Sequence, residues 1–199
     1  MRTSLSLQID YTMQVKDSDF TVLGQAAMCF KLTATLPHNS LVMLERKLVV
    51  DSEKQVALLY ENNCVIRRYV VSTAANGLGC VSGSDSTPHG KLTVAEKIGY
   101  GLPEGAILRA RRATGQMWSS DASNPLASSQ EDLVLTRILW LDGKEPHNAN
   151  TLERYIYLHG TNQENLLGAP VSHGCIRLSN KDIVELYDLL RVGDEVEVT

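Results

Sequence analysis

The sequence lacks the features of a membrane-spanning or nucleic-acid-binding chain. None of its 199 residues lies in an apolar run of the roughly 18 residues that a transmembrane helix needs. Basic residues are not in excess, because the formal net charge is −4. The two arginine pairs, Arg67-Arg68 and Arg111-Arg112, are too short to form a basic patch. Neither a nucleic-acid nor a membrane partner is therefore expected.

The first twenty residues also lack the pattern of a secretory signal peptide. Apolar and polar residues alternate there, and Asp10, Lys16 and Asp17 interrupt any hydrophobic segment. A cytoplasmic location is the expectation. A periplasmic location becomes the expectation if the natural protein carries a signal peptide that this sequence does not include.

Metal and cofactor motifs are missing from the linear sequence. The four cysteines form no C-x-x-C pair, and the five histidines show no H-E-x-x-H spacing. Gly77 and Gly79 lack the third glycine and the following helix of a dinucleotide-binding fingerprint. The sequence thus predicts no metal and no cofactor.

What the sequence does contain is the composition of an ordinary globular protein. Hydrophobic residues make up 43% and charged residues 21%. The length suits one domain with a small extension. We assign residues 1–46 to an N-terminal extension packed on the main domain, and residues 47–199 to that domain. No internal repeat or low-complexity tract is present.

Residue patterns predict a chain that is rich in strands and has one clear helix. β-branched and aromatic runs predict strands at 48–50, 55–60, 64–73, 133–141, 154–160 and 195–199. The stretches 74–105 and 116–130 read as loops. A helix is predicted over 181–191, with Ser179 or Asn180 as its N-cap and Gly193 closing it. Its buried stripe consists of Ile183, Leu186, Tyr187 and Leu190.

The segment Ser172–Arg177, with sequence SHGCIR, carries the strongest chemical signal. The reactive form of cysteine is the thiolate, and a neighbouring imidazole or helix N-terminus favours it. Gly174 leaves the backbone unhindered, so that an N–H there can point at a developing oxyanion. His159, at the end of a predicted strand, supplies a candidate base. A cysteine and a histidine in one sequence also often have only structural roles.

The sequence resembles the bacterial L,D-transpeptidase catalytic domain. That family is characterised by an upstream His, a spacer, and then Ser/Thr-His-Gly-Cys, as in His159-Gly160 followed by Ser172–Cys175 here. Further similar blocks occur in the expected order over about residues 47–199: STAANG at 72–77, TPHG at 87–90, KIGYGLP at 97–103, TRILWLDGKEP at 136–146 and RYIYLHG at 154–160. Those from Ser72 to Pro146 look most like a cytosolic branch regarded as L,D-carboxypeptidases.

The resemblance implies a fold and a catalytic pair. The fold would be mainly β (α+β), a sandwich or open barrel of mixed sheets with a few helices. Cys175 would be the nucleophile and His159 its base, oriented by the backbone carbonyl of Gly160. Backbone N–H groups near Gly174 and Cys175 would hold the oxyanion.

Four further residues are candidates for substrate binding, each with a structural alternative. Arg177 suits a substrate carboxylate, or it pairs with an internal Asp or Glu. His173 lies near the substrate or stabilises the cysteine loop, and Ser172 precedes it in the motif. Tyr157 faces the cleft or belongs to the core.

Three functions are compatible with the resemblance. The first is a cysteine L,D-carboxypeptidase that removes the terminal D-Ala from a meso-diaminopimelate-containing murein tetrapeptide during peptidoglycan recycling. The second is an L,D-transpeptidase that forms 3–3 cross-links between such peptides. The third is a catalytically inactive murein-peptide binder. In each case the partner is a murein stem peptide, and the sequence does not indicate the oligomeric state.

Overall fold

The computed structural model describes residues 45–129 and 131–199. The assignment of residues 1–46 to an extension therefore falls almost entirely outside the described residues and stays a prediction. The described part contains one α-helix, α1 (Asn180–Leu189), and no helix in it is long and apolar enough to cross a bilayer. Its ten strands are β1 (Arg46–Asp51), β2 (Val56–Glu61), β3 (Cys64–Val70), β4 (Gly90–Ile98), β5 (Ala106–Arg109), β6 (Arg112–Met117), β7 (Val134–Gly143), β8 (Tyr157–Gly160), β9 (Ile176–Leu178) and β10 (Glu195–Val198).

The ten strands form one open, mixed sheet. Its main path runs β3-β2-β1-β10-β4-β7-β5-β6, and β8 pairs with both β7 and β9 beside this path. The pairs β1–β10 and β8–β9 are parallel, whereas the other pairs are antiparallel. The prediction of a mainly β fold with little helix is confirmed.

The hairpin of β2 and β3 follows directly from its turn residues. Asn62 and Asn63 both adopt left-handed backbone conformations, with φ of 50° and 65°. Asparagine tolerates this region better than most residues, and two such residues in succession give the turn whose twist matches a hairpin. The strands predicted at 55–60 and 64–73 therefore pair as a hairpin.

The helix α1 also forms where its pattern predicted. The Ser179 side chain accepts a hydrogen bond of 3.0 Å from the Asp182 backbone N–H, which satisfies a helix N-terminus. Its predicted stripe is buried in the main hydrophobic core, where each such side chain contributes roughly 1.5–3 kcal/mol. The helix ends at Leu189, however, and Gly193 lies in the following turn.

Two predictions of secondary structure, one of a loop and one of a strand, are corrected. The stretch 74–105, predicted as loop, contains β4, whose alternating residues Leu92 and Val94 are buried against the sheet. The strand predicted over 154–160 begins only at Tyr157, because Tyr155 has a φ of 58° that breaks the extended backbone. This interruption matters for the site, since the Tyr155 carbonyl approaches Cys175.

Candidate active site

Cys175 lies at the end of a tight turn that leads directly into β9. The Ser172 hydroxyl donates a hydrogen bond of 2.5 Å to the Cys175 carbonyl and accepts one of 3.3 Å from the Gly174 N–H. Gly174 has a φ of 125°, which side-chain-bearing residues rarely adopt. A Cβ there would also lie 3.3 Å from Ile156 and 3.4 Å from the Ser86 carbonyl. Glycine is therefore needed to present the cysteine in this turn.

The Cys175 thiol is held between two backbone groups, one from the first residue of β8 and one from Tyr155, which precedes β8. The Tyr157 N–H points at Sγ from 3.4 Å, and Sγ lies 3.5 Å from the Tyr155 carbonyl oxygen. Burial raises the pKa of the Cys175 thiol to about 12. The thiol is therefore protonated at neutral pH, and attack on a carbonyl requires a base.

His159 is placed to be that base. It lies on β8, next to β9, and is 2% exposed. Leu158 and Ile176, paired across these strands, both belong to the main core, so His159 and Cys175 project from the opposite face. No hydrogen bond joins the thiol to the imidazole within the described residues, and such bonds often tighten only when substrate binds.

The tautomer of His159 is fixed by its neighbour Gly160, and its charge is determined by burial. Nδ1 lies 2.8 Å from the Gly160 carbonyl oxygen, which only accepts hydrogen bonds. Nδ1 therefore carries the proton, and the Nε2 lone pair remains to accept another. Burial lowers the pKa of His159, outweighing the opposing effect of Asp132. A neutral imidazole thus stands next to a neutral thiol.

Gly160 is required for steric reasons. A Cβ at this position would lie 2.5 Å from Asn180 Oδ1 and 3.0 Å from the Leu135 carbonyl oxygen. Asn180, the first residue of α1, donates to the Thr161 carbonyl at 2.9 Å and so fixes the helix against this strand. The predicted role of the Gly160 carbonyl in orienting the histidine agrees with this geometry.

Arg177 is placed differently from its substrate-binding prediction. Its side chain is 1% exposed. Its guanidinium donates to Asp132 at 3.1 Å, to Gln163 at 2.8 Å and to Ser72 at 3.0 Å. A guanidinium buried and bonded in this way has no free face for a substrate. The placement favours the alternative in which Arg177 pairs with an internal carboxylate.

The other three substrate-binding candidates fall into different environments. Ser172 is 2% exposed, and its hydroxyl is used within the turn, which argues against contact with substrate. His173 is exposed beside the nucleophile and remains a candidate. Tyr157 is 8% exposed and packs in a small apolar cluster against which Cys175 also lies. Its ring is therefore part of the wall behind the thiol.

An exposed group of residues beside the thiol was not predicted as a site. The Arg111 guanidinium lies over the rings of Trp140 and Tyr155, 4.7 and 4.8 Å from their centroids. It also donates to the Tyr157 hydroxyl at 3.4 Å. We call Arg111, Trp140 and Tyr155 the aromatic rim. It holds a cation over the ring of Tyr155, which is 51% exposed and whose backbone carbonyl oxygen lies 3.5 Å from Cys175 Sγ.

Sequence and structure comparisons place these features in a known family. Residues 45–198 match the L,D-transpeptidase catalytic domain. The chain belongs to that family. The match includes β1 to β10, both strands of the catalytic pair and the whole Ser172–Cys175 turn.

The matches to individual relatives cover only part of each relative's length. YqjB of Bacillus subtilis (strain 168), whose name assigns it to the L,D-transpeptidases, is 31% identical over 115 residues, which are 58% of this chain and 53% of that protein. The similarly named YbiS of Escherichia coli (strain K12) is 46% identical over 44 residues, 22% of this chain and 14% of that protein. The chain thus spans about half the length of YqjB and a smaller share of YbiS.

A solved structure supports the fold. L,D-transpeptidase 3 from Mycobacterium tuberculosis, in complex with a faropenem-derived adduct, aligns with a TM-score of 0.50 and 18% identity. The alignment covers 78% of this chain and 60% of that chain. The likeness therefore concerns the fold, that is, the arrangement of the strands within the catalytic domain.

The family motif explains which site residues the sequence revealed. Cys175, His159, Gly160 and Gly174 lie within the motif, and the structure brings them together at the β8–β9 junction. Asp132 and Arg111 lie outside it. They come from separate loops, 45 residues from Arg177 and 46 residues from Tyr157, so no local pattern connects them.

Proposed function

We propose that this domain is a cysteine L,D-carboxypeptidase of peptidoglycan recycling. The substrate is a murein tetrapeptide that ends in meso-diaminopimelate and D-Ala, and the product is the tripeptide. The cysteine chemistry of this proposal is carried by a protonated, half-buried thiol on the same side of the β8–β9 pair as a neutral histidine whose Nε2 is free to accept a proton.

The reaction proceeds in two halves. Cys175 Sγ attacks the carbonyl between diaminopimelate and D-Ala while His159 Nε2 takes the thiol proton. The Cys175 N–H, which donates to no acceptor in the described part of the chain, is the group that faces the oxyanion. The C–N bond then breaks, and His159 returns the proton to the D-Ala amine. Water, deprotonated by His159, hydrolyses the thioester and releases the tripeptide.

The aromatic rim supports recognition of a carboxylate. A substrate of this kind ends in a free D-Ala carboxylate, and arginine binds carboxylates through a planar fork of N–H donors. Arg177 is unavailable for this role, whereas Arg111 is partly exposed and lies over Tyr155, whose backbone carbonyl contacts the thiol. Trp140 and Tyr155 hold its guanidinium in place. We assign the substrate carboxylate to Arg111.

A second candidate, L,D-transpeptidation, is favoured by the family match. Both activities share the thioester, and they differ only in whether water or the amine of a second peptide attacks it. The carboxypeptidase proposal rests on the resemblance of the blocks from Ser72 to Pro146. A cytoplasmic location is part of the same proposal, and fractionation of cells that express the natural gene tests it.

The test is a mass-spectrometric assay with free L-Ala-γ-D-Glu-meso-diaminopimelate-D-Ala. The wild type is expected to release D-Ala and accumulate tripeptide, and Cys175→Ala is expected to lose at least about 1,000-fold of this rate. Cys80→Ser removes the other free thiol of the described residues and should retain the activity.

Other outcomes replace the proposal. A cross-linked dimer in place of tripeptide identifies a transpeptidase. Equal rates for the wild type and Cys175→Ala would remove the thioester mechanism altogether. Absence of both products, with peptide still bound, identifies an inactive binder.

A further inference from the structure

Three metal-ligating side chains from separate parts of the sequence meet outside the catalytic centre. Cys80, His89 and His147 place one ligand atom each within 4.8 Å of the other two. Cys80 is a free thiol and is partly exposed, and both histidines are exposed. The sequence predicted no metal, because His147 lies 67 residues after Cys80 and the spacing fits no metal-binding motif. The fold alone forms this cluster.

We infer that Cys80, His89 and His147 form a zinc site. Thiolate and imidazole are the ligands that Zn²⁺ prefers, and in a tetrahedral site their atoms lie about 3.4–3.6 Å apart. The spacing in the structure is up to 4.8 Å, so closure requires an inward movement of about 1 Å. Rotation of two exposed imidazoles and one partly exposed thiol supplies such a movement.

The orientation of His147 suits a ligand. Its Nε2 lies 3.3 Å from the His89 carbonyl oxygen and 3.9 Å from the Glu145 carboxylate. Both oxygens accept hydrogen bonds, so Nε2 carries the proton and Nδ1 keeps its lone pair. Zinc-bound histidines commonly donate their second N–H to a carbonyl or carboxylate in this way. The His89 ring is stacked on it, with centroids 4.8 Å apart.

Two asparagine side chains fix the backbone of Cys80 and His89. Asn148 is 0% exposed and donates to the His89 carbonyl at 2.9 Å. Asn150 donates to the Cys80 carbonyl at 3.0 Å. The segments that carry the ligands are therefore already tied together before any metal binds, which lowers the entropic cost of forming the site. Water supplies the fourth ligand.

The same segments border the catalytic turn. Arg154 donates to the Gly79 carbonyl at 3.0 Å and to the Ser86 carbonyl at 2.6 Å. The Ser86 carbonyl in turn packs against Gly174. Zinc at this site would link the 79–89 loop to the turn at 145–151 and so stabilise the support of the Cys175 loop. Its role is structural, and the chemistry at Cys175 does not require it.

The test is a titration of the metal-free Cys175→Ala protein with Zn²⁺ by calorimetry. This background removes the catalytic thiol, which would otherwise compete for the metal. One equivalent is expected to bind at micromolar concentration or below, and the melting temperature should rise with zinc because only the folded state holds the site. Mg²⁺ should not bind.

Single substitutions in that background identify the ligands. Cys80→Ser, His89→Gln and His147→Gln should each weaken zinc binding at least tenfold, and Co²⁺ should give a thiolate-to-metal absorption band that only Cys80→Ser abolishes. Ser82→Ala, an exposed position of the same loop, is the matched control and should bind as the parent does.

Two results would overturn the inference. One is the absence of binding at micromolar Zn²⁺ by a protein whose circular dichroism shows that it is folded. The other is binding that persists in all three ligand variants. Both are independent of D-Ala release, so they do not depend on the proposed activity.

Discussion

Two groups of residues adjoin Cys175, and they differ in how firmly the fold holds them. His159, Gly160 and Arg177 are buried on paired strands, and each is bonded to neighbouring protein groups. Arg111 and Tyr155 are at the surface, both with left-handed backbones, φ of 65° and 58°. They contact each other through ring faces rather than through strong hydrogen bonds. The first group provides a fixed base, and the second provides a surface that an incoming peptide can reach.

This difference indicates which of the two groups tolerates amino-acid substitution without loss of stability. Substitution in the buried group should lower the stability of the whole domain. It either leaves a charged group without its partner or introduces atoms for which the packed strands have no room. Substitution in the aromatic rim should change substrate affinity and leave the fold intact. The predictions below test this contrast.

The largest effect on stability is expected from Arg177→Leu. The substitution removes the charged partner of the Asp132 carboxylate, whose side chain is 26% exposed. It should lower the free energy of unfolding by about 3 kcal/mol. Urea denaturation measures this change. Arg67→Leu breaks an exposed pair with Glu185 and is the control, with an expected change within about 0.5 kcal/mol. Similar losses in both variants would contradict the contrast between buried and exposed groups.

Gly160→Ala should destabilise the domain by about 2 kcal/mol, because its Cβ would lie 2.5 Å from Asn180 Oδ1. It should also lower the rate of D-Ala release, since the carbonyl that orients His159 must move. Thermal unfolding and the peptide assay measure the two effects. Gly115→Ala is the control for backbone strain, because Gly115 has a φ of 80° but no atom within 4 Å of the added Cβ. Equal losses of stability in Gly160→Ala and Gly115→Ala would show that crowding around the added Cβ at Gly160 does not cause the destabilisation.

Arg111→Gln should raise KM for the tetrapeptide about tenfold, which corresponds to about 1.4 kcal/mol, and leave the unfolding transition unchanged. The expected cause is loss of the charged hydrogen bonds to the substrate carboxylate. Steady-state kinetics of D-Ala release measures it. Arg112→Gln, at the exposed neighbouring position, should behave as the wild type. An unchanged KM in Arg111→Gln would remove the aromatic rim from the proposed binding site.

The smallest effect is expected in the pH dependence of Asp132→Asn. Protonation of His159 removes the base, so kcat/KM should fall as pH drops through the pKa of His159, which burial places below its usual value of 6.5. The Asp132 charge raises that pKa. Its removal should therefore lower the pKa further and move the acid limb to lower pH.

The measurement is kcat/KM for D-Ala release over the acid range. Asp142→Asn, which breaks a pair with Lys144, is the control and should leave the limb in place. A shift of the limb to higher pH in Asp132→Asn would mean that the limb reports a group other than His159.

Local patterns predicted several elements well. The strands β2 and β7 and the capped helix α1 depend on neighbouring residues, and all three were found. The strand β4 was missed because its flanking glycines and prolines suggested a loop. The late start of β8 was missed because nothing in the sequence marks Tyr155 for a left-handed backbone.

The site shows the same division. The family motif singled out Cys175, His159, Gly160 and Gly174 as a predicted catalytic set, because these residues lie in one short turn and at one strand end. It could not show whether Arg177 faces a substrate or Asp132. That choice depends on a loop 45 residues away. The assignments of His173 and Arg111 to substrate binding stay predictions.

The sequence by itself determined the family and the mainly β character, and it predicted Cys175 and His159 as a catalytic pair, because each is expressed by residues close together in the chain. The tertiary structure decided the burial of Arg177, the aromatic rim and the cluster of Cys80, His89 and His147. Each of these depends on contacts between loops that the sheet brings together from distant positions. Such contacts arise from packing and strand order, which no spacing in the sequence encodes.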